Sequence, residues 1–252
     1  MPTTTSLRRG AAGLATAGAL ALTMLPGAAH AGVITQYAAF ASSESQYTGS
    51  TTGVTCDLSA GSDNELSGIA KFAHGTKRRS VTLRSTYTRS DDSTDRVKVR
   101  GHLDSSMTLR RAGRDLRSFA LTAGGSLSVS HAISGSSCDV QARVAAGTEG
   151  FRFTEHHGGW LYLTRDTRKP DSFMSYELIN AKSGHVLAFE TFQGTKSHQV
   201  SRTRLKPGTY RLEQIQVGLF VGQTFGILKS APLTRTASQT LHLSGVFKRA
   251  QH

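Results

Sequence analysis

Four residues of "DRVKVRGHL" pair a chemistry with a spacing. Arg96, Lys98, Arg100 and His102 alternate with Val97, Val99 and Leu103. Period two is the signature of a strand with one face on a core and one on water, so the polar set forms a single row with a step of about 6.5 Å. A row of cations at that spacing suits a polyanion; the plainer role is a solvated or edge-protecting face. "RRAGR" (Arg110, Arg111, Arg114) and "KRR" (Lys77, Arg78, Arg79) stand ready to widen it. Its energy would come from released counter-ions rather than from recognition of a sequence.

A second group is the run "TEHHGG", with Glu155, His156 and His157 adjacent. Neighbouring strand residues point to opposite faces, so one backbone segment does not readily present all three to one ion. A metal site would need Glu155 and His157 to meet His185 and His198 in the fold; otherwise these are hairpin-tip histidines beside Gly158-Gly159. His131, in phase with Leu127, Val129 and Ile133, reads as a hydrogen-bonded core residue. No Gly-x-Ser-x-Gly elbow, His-Glu-x-x-His, Ser-x-x-Lys or phosphate-cradling glycine loop occurs. The motifs therefore imply no cofactor and no catalytic set, and an exported hydrolase would have to assemble its Glu and His residues through the fold alone.

The only two cysteines, Cys56 and Cys138, stand 82 residues apart in "GVTCDLSAG" and "GSSCDVQAR". Each is in phase with its own apolar neighbours: Leu58 and Ala60 for the first, Val140, Ala142 and Val144 for the second. Two cysteines without nearby ligands do not make a zinc site. In an exported chain they predict a disulfide between the first and last strands of one domain, worth about 4.5 kcal/mol in the chain-entropy model. The staple resembles the inter-sheet bridge of immunoglobulin domains, with two departures: Trp160 lies outside the pair, and no tyrosine sits two residues before Cys138.

Export is predicted by the N-terminus. Arg8 and Arg9 precede a small apolar run from Ala11 to Leu25, then Pro26 and Ala29-His30-Ala31, the order of a cleaved signal peptide with Gly32 as the new start. The run is shorter than the roughly 20 residues of a membrane span, so no transmembrane anchor is expected. Removing it leaves 28 basic residues against 17 acidic, a net charge of +11. That excess favours anionic partners, and for an exported protein wall or other extracellular polymers come before nucleic acid. Oligomeric state is left open.

The rest of the chain supplies scaffolding. "RSVTLRSTYTR" alternates Val81, Leu83 and Tyr87 with Thr82, Arg84, Thr86 and Thr88, and 90–95 reads as the connection to the basic strand. Residues 33–52 are small and polar, fit for an edge strand or an arm. At 144–150 ("VAAGTEG") the texture shifts to aromatics, which marks a domain boundary. Beyond it lie a hairpin at Gly158-Gly159, two strands around Lys182-Ser183-Gly184, and a Pro207-Gly208 turn. The order "FRF", "WLYL", "YELINAKSGHVLA", "LKPGTYRLE" over about 150–217 resembles the jelly-roll domains at the C-termini of secreted bacterial peptidases, most sharply from Leu205 to Leu212. That resemblance implies a non-catalytic accessory module. The expectation is an all-β protein: signal peptide 1–31, a disulfide-bearing β-sandwich 32–146, and a jelly-roll-like β-sandwich 147–252, each sandwich jelly-roll or immunoglobulin-like. Its expected function is that of a secreted, cationic binding or accessory protein. The alternatives are the exported hydrolase and a structural partner of another secreted protein, the latter marked by an exposed apolar patch.

Overall fold

The computed structural model describes residues 34–47, 58–62, 65–89, 96–131, 138–167, 171–194, 197–224 and 233–249. Regular structure there is entirely strand: β1 (Thr35–Tyr47), β2 (Leu58–Ser62), β3 (Glu65–Leu66), β4 (Ala70–Phe72), β5 (Gly75–Arg89), β6 (Arg96–Ala112) and β7 (Asp115–His131) come first. β8 (Cys138–Glu155), β9 (Gly159–Thr167), β10 (Ser172–Asn180), β11 (Val186–Gly194), β12 (Ser197–Leu205), β13 (Gly208–Thr224) and β14 (Leu233–Arg249) follow. No helix among the described residues is long and apolar enough to cross a membrane.

Two antiparallel sheets of seven strands result. The first runs β11-β10-β13-β8-β1-β3, with β4 also on β1; the second runs β12-β9-β14-β7-β6-β5-β2. They face each other, β7 lying over β8 and β13 and β1 over β5. Between them is one apolar cluster that includes Tyr37, Leu83, Val99, Leu127, Phe153, Leu212 and Leu241. Strict alternation explains the layering: along β6, Val97, Val99, Leu103, Met107 and Leu109 are buried while Arg96, Lys98, Arg100 and His102 are exposed. Each fully buried Val, Leu or Phe contributes about 1.5–3 kcal/mol, which is what holds two sheets of such length together.

The two-sandwich division does not describe this arrangement. The boundary expected at 146/147 falls inside β8, and each sheet takes strands from both sides of it. The change of texture at 144–150 has another cause. Val140, Ala142, Val144 and Ala146 face the core from even positions, whereas Phe151 and Phe153 do so from odd ones. The switch occurs at Gly150, whose φ of 147° is open to glycine, and opposite it β13 makes the matching switch at Gln214 (φ 53°). Pairing passes from Thr148↔Ile215 directly to Gly150↔Glu213, so both strands carry one extra residue and stay in register. Ser175 Oγ donates to the Gln214 carbonyl at 2.8 Å and pins the irregularity.

The expected hairpin at Gly158-Gly159 is a crossover: β8 lies in the first sheet and β9 pairs with β12 and β14 in the second. The 33–52 stretch supplies β1, which pairs with β8 from Ala38 to Tyr47 and buries Tyr37, Ala39 and Ala41. The strands around Lys182-Ser183-Gly184 do pair, with Asn180 Oδ1 accepting from the Lys182 and Ser183 amides at 3.0 and 3.1 Å and Gly184 at φ 71°. Cys56, residues 1–33 and 90–95 lie outside the described residues; Cys138 opens β8, and His131 closes β7.

Candidate polyanion-binding face

The basic row occupies the outer face of the second sheet. Register places Thr88 beside Arg96, Thr86 beside Lys98, Arg84 beside Arg100 and Thr82 beside His102 on β5. On β7 the neighbours are Ser130, Ser128 and Ser126, beside Lys98, Arg100 and His102. The cations therefore stand among hydroxyls. Among the described residues, no carboxylate pairs with Arg84, Arg96, Lys98 or Arg100. Arg84 directly opposite Arg100 is a like-charge pair, an arrangement that costs stability. Sequence reading placed Arg84 on a polar face without joining it to the row, because strand pairing, not spacing, makes that contact.

His102 is the least free of the four. Its Nε2 lies 3.1 Å from Asp104 Oδ2, and its Nδ1 3.4 Å from Thr82 Oγ1. The hydrogen bond from His102, then one from Ser80, holds the Asp104 carboxyl below its ordinary range.

The flanking basic runs split across the pleat. Arg78, opposite Ser106, and Arg110, opposite Ser118, share the outer face. Lys77 and Arg79 fall in the other phase, opposite Met107 and Ser105, and Arg79 Nε donates to the Gly68 carbonyl. Arg111 turns inward, its guanidinium 5.3 Å from the Phe151 ring centroid and donating to the Arg152 carbonyl at 2.9 Å; burial lowers its pKa. Arg114 sits in the turn beside Gly113 (φ 61°), where its carbonyl accepts from the Thr154 amide at 3.1 Å.

The Glu and His candidates do not converge. Glu155 is only 2% exposed at the inner end of β8, His157 is exposed in the crossover, His185 is exposed in the β10–β11 turn, and His198 is exposed on β12. No three His, Cys, Asp or Glu side chains among the described residues are grouped to hold a metal ion. What does gather is a different set at one end of the sheets. Glu155 Oε1 accepts from the Leu116 amide at 3.0 Å, and Asp115 Oδ1 lies 2.6 Å from His156 Nδ1, with Arg249 3.9 Å from the other oxygen. Burial, then the nearby Asp115 charge, raises the Glu155 pKa to about 7. Asp115 was absent from the sequence reading, since nothing in the spacing links β7 to the end of β8. The sealed Glu155 carboxyl makes this cluster a fastening of the crossover rather than an open acid–base site.

No family model, no curated protein and no solved structure matches this chain.

Proposed function

We propose that this is an exported, non-catalytic binding or accessory protein whose basic sheet face engages an anionic extracellular or wall polymer. The observation that supports this most is the exposed row Arg96, Lys98 and Arg100, completed by Arg84 across the strand pair and left without carboxylate partners among the described residues. Retaining a like-charge pair on a solvent face is a cost to folding, and a polyanion laid across it would relieve that cost. The order of charges and small residues in 1–31 supports export, with cleavage before Gly32.

The test is retention of residues 32–252 on an immobilised polyanion across a salt gradient, against the triple variant R96S/K98S/R100S. Log affinity should fall linearly with log salt, and the variant should lose up to about three charges' worth of that slope. An unchanged slope in a folded variant would show the row to be solvated surface only.

A further inference from the structure

We infer that the polyanion-binding face has a second anchor at its far end, and that the two together form one track for a linear acidic glycan. This rests on the binding reading above and adds to it the ligand class and a second site. The anchor is built on β9, where Trp160 and Tyr162 alternate with buried Leu161 and Leu163 and so point outward. Pairing sets Arg204 and Lys248 on either side of Trp160, and Arg202 and Val246 on either side of Tyr162. The Arg202 guanidinium lies 5.1 Å from the Trp160 ring centroid, and the Lys248 ammonium 5.1 Å from that of Tyr162. Ring faces orient these cations without neutralising them. Among the described residues, no carboxylate pairs with Arg202, Arg204 or Lys248.

The two anchors share one surface. Tyr162 pairs with Val246, Val246 with Ser118, and Ser118 with Arg110, so this end sits level with Arg110 on β6. Lys98 is twelve residues back along the same strand, a separation of about 40 Å at roughly 3.3 Å per residue. Between them the face carries mostly hydroxyls, among them Thr122, Ser126 and Ser128 of β7 and Thr236, Ser238 and Thr240 of β14, together with two acids, Asp104 paired with His102 on β6 and Asp166 on β9. Glu44, Glu177 and Glu213 fall on the outer side of the other sheet.

This pattern selects among polyanions. A sugar chain offers hydroxyls to the Ser and Thr carpet and acid groups to the cationic ends. Nucleic acid would want aromatic platforms along the track, and the middle has none among the described residues. A bilayer would want an apolar stripe to insert, whereas the large exposed apolar side chains on this face are Val200 and Val246 alone among the described residues. Two anchors on one chain raise avidity only for a chain long enough to reach both.

The experiment is a size-fractionated oligogalacturonate series titrated into residues 32–252, read by calorimetry and by emission of Trp160, the only tryptophan. Oligomers should perturb Trp160 in the wild type and also in R96S/K98S/R100S, because the second anchor is independent of the row. Affinity should rise by roughly a hundredfold once the oligomer spans both anchors. R202S/R204S/K248S, with its melting temperature as the check on folding, should lose both the Trp160 response and the length step while still binding short oligomers at the row. Silence of Trp160 on binding, a length step that survives in that variant, or equal affinity for single-stranded DNA of matched length and charge would overturn the inference. Those outcomes leave the row's salt-dependent binding intact; absence of that binding altogether would instead remove the reading on which the inference rests.

Discussion

Tyr37 and Ser105 join the two sheets through the core: the Tyr37 hydroxyl donates to Ser105 Oγ at 2.5 Å, and Ser105 Oγ in turn donates to the Arg79 carbonyl at 3.0 Å. A neighbouring chain repeats the device, Tyr87 donating to Ser43 at 2.8 Å and Ser43 to Ser85 at 2.8 Å. Burial pushes the Tyr37 pKa up to about 12, so the phenol stays a donor at all working pH values. These bonds fix how one sheet sits on the other where apolar contact alone would allow sliding.

The asymmetry of buried hydrogen bonds gives the first prediction. Ser105→Ala strands the Tyr37 hydroxyl and should cost about 1–3 kcal/mol, whereas Tyr37→Phe removes the donor and should cost about 1 kcal/mol. In the double variant the two losses should be clearly less than additive. Urea denaturation of the four proteins measures this; additive losses would mean the bond contributes nothing to stability.

Glu155 sets a pH dependence. Its carboxyl titrates near 4.5 in the unfolded chain and is raised to about 7 in the fold, first by burial and then by Asp115, with the Leu116 amide, then Arg117 and Arg249, opposing. The folded state thus holds an extra proton between those values. Its contribution is fully present below about pH 4.5 and is lost as pH rises through about 7. Glu155→Gln keeps an acceptor for the Leu116 amide and removes the titration. Melting temperature should fall from pH 5 to pH 8 in the wild type and stay flatter in the variant, which should be the more stable at pH 8. Parallel pH profiles for wild type and E155Q would refute the assignment.

Alternation made much of the strand content and the outward row legible in the sequence, because period two follows from the pleat alone. Val97, Val99 and Leu103 point inward for that reason. Pairing was not legible. Nothing local indicates that β14 returns to lie beside β7, or that β13 lies beside β8, since antiparallel partners this far apart are chosen by the whole core. The shift at 144–150 was visible but has two physical causes with one appearance, a linker or a phase switch, and Gly150 with Gln214 makes it the second. The candidate site was legible as a row and not as a face: Arg84, Trp160 and Lys248 join it only through register.

The Cys56–Cys138 disulfide remains a proposal, since Cys56 lies outside the described residues. Cys138 opens β8 opposite Tyr47 of β1. Non-reducing mass analysis of exported protein should find both thiols oxidised within one molecule, and reduction should cost about 2–5 kcal/mol. Alkylation of both cysteines without reductant would end this idea.

Arg84 allows function and stability to be moved in opposite directions. It faces Arg100 across β5 and β6, both are exposed, and no carboxylate pairs with either among the described residues. Arg84→Glu turns a like-charge pair into an opposite one, which should stabilise the fold by about 0.2–1 kcal/mol at low salt. The gain should shrink as salt rises, because the pair is solvent-exposed. The same change removes one cation from the row and adds an anion beside it, so polyanion retention should weaken more than in Arg84→Ser. If the face were merely a soluble surface, the two substitutions would differ in melting temperature and not in retention. Retention that tracks the charge at position 84 while stability moves the other way is the result expected of a face kept cationic for a ligand.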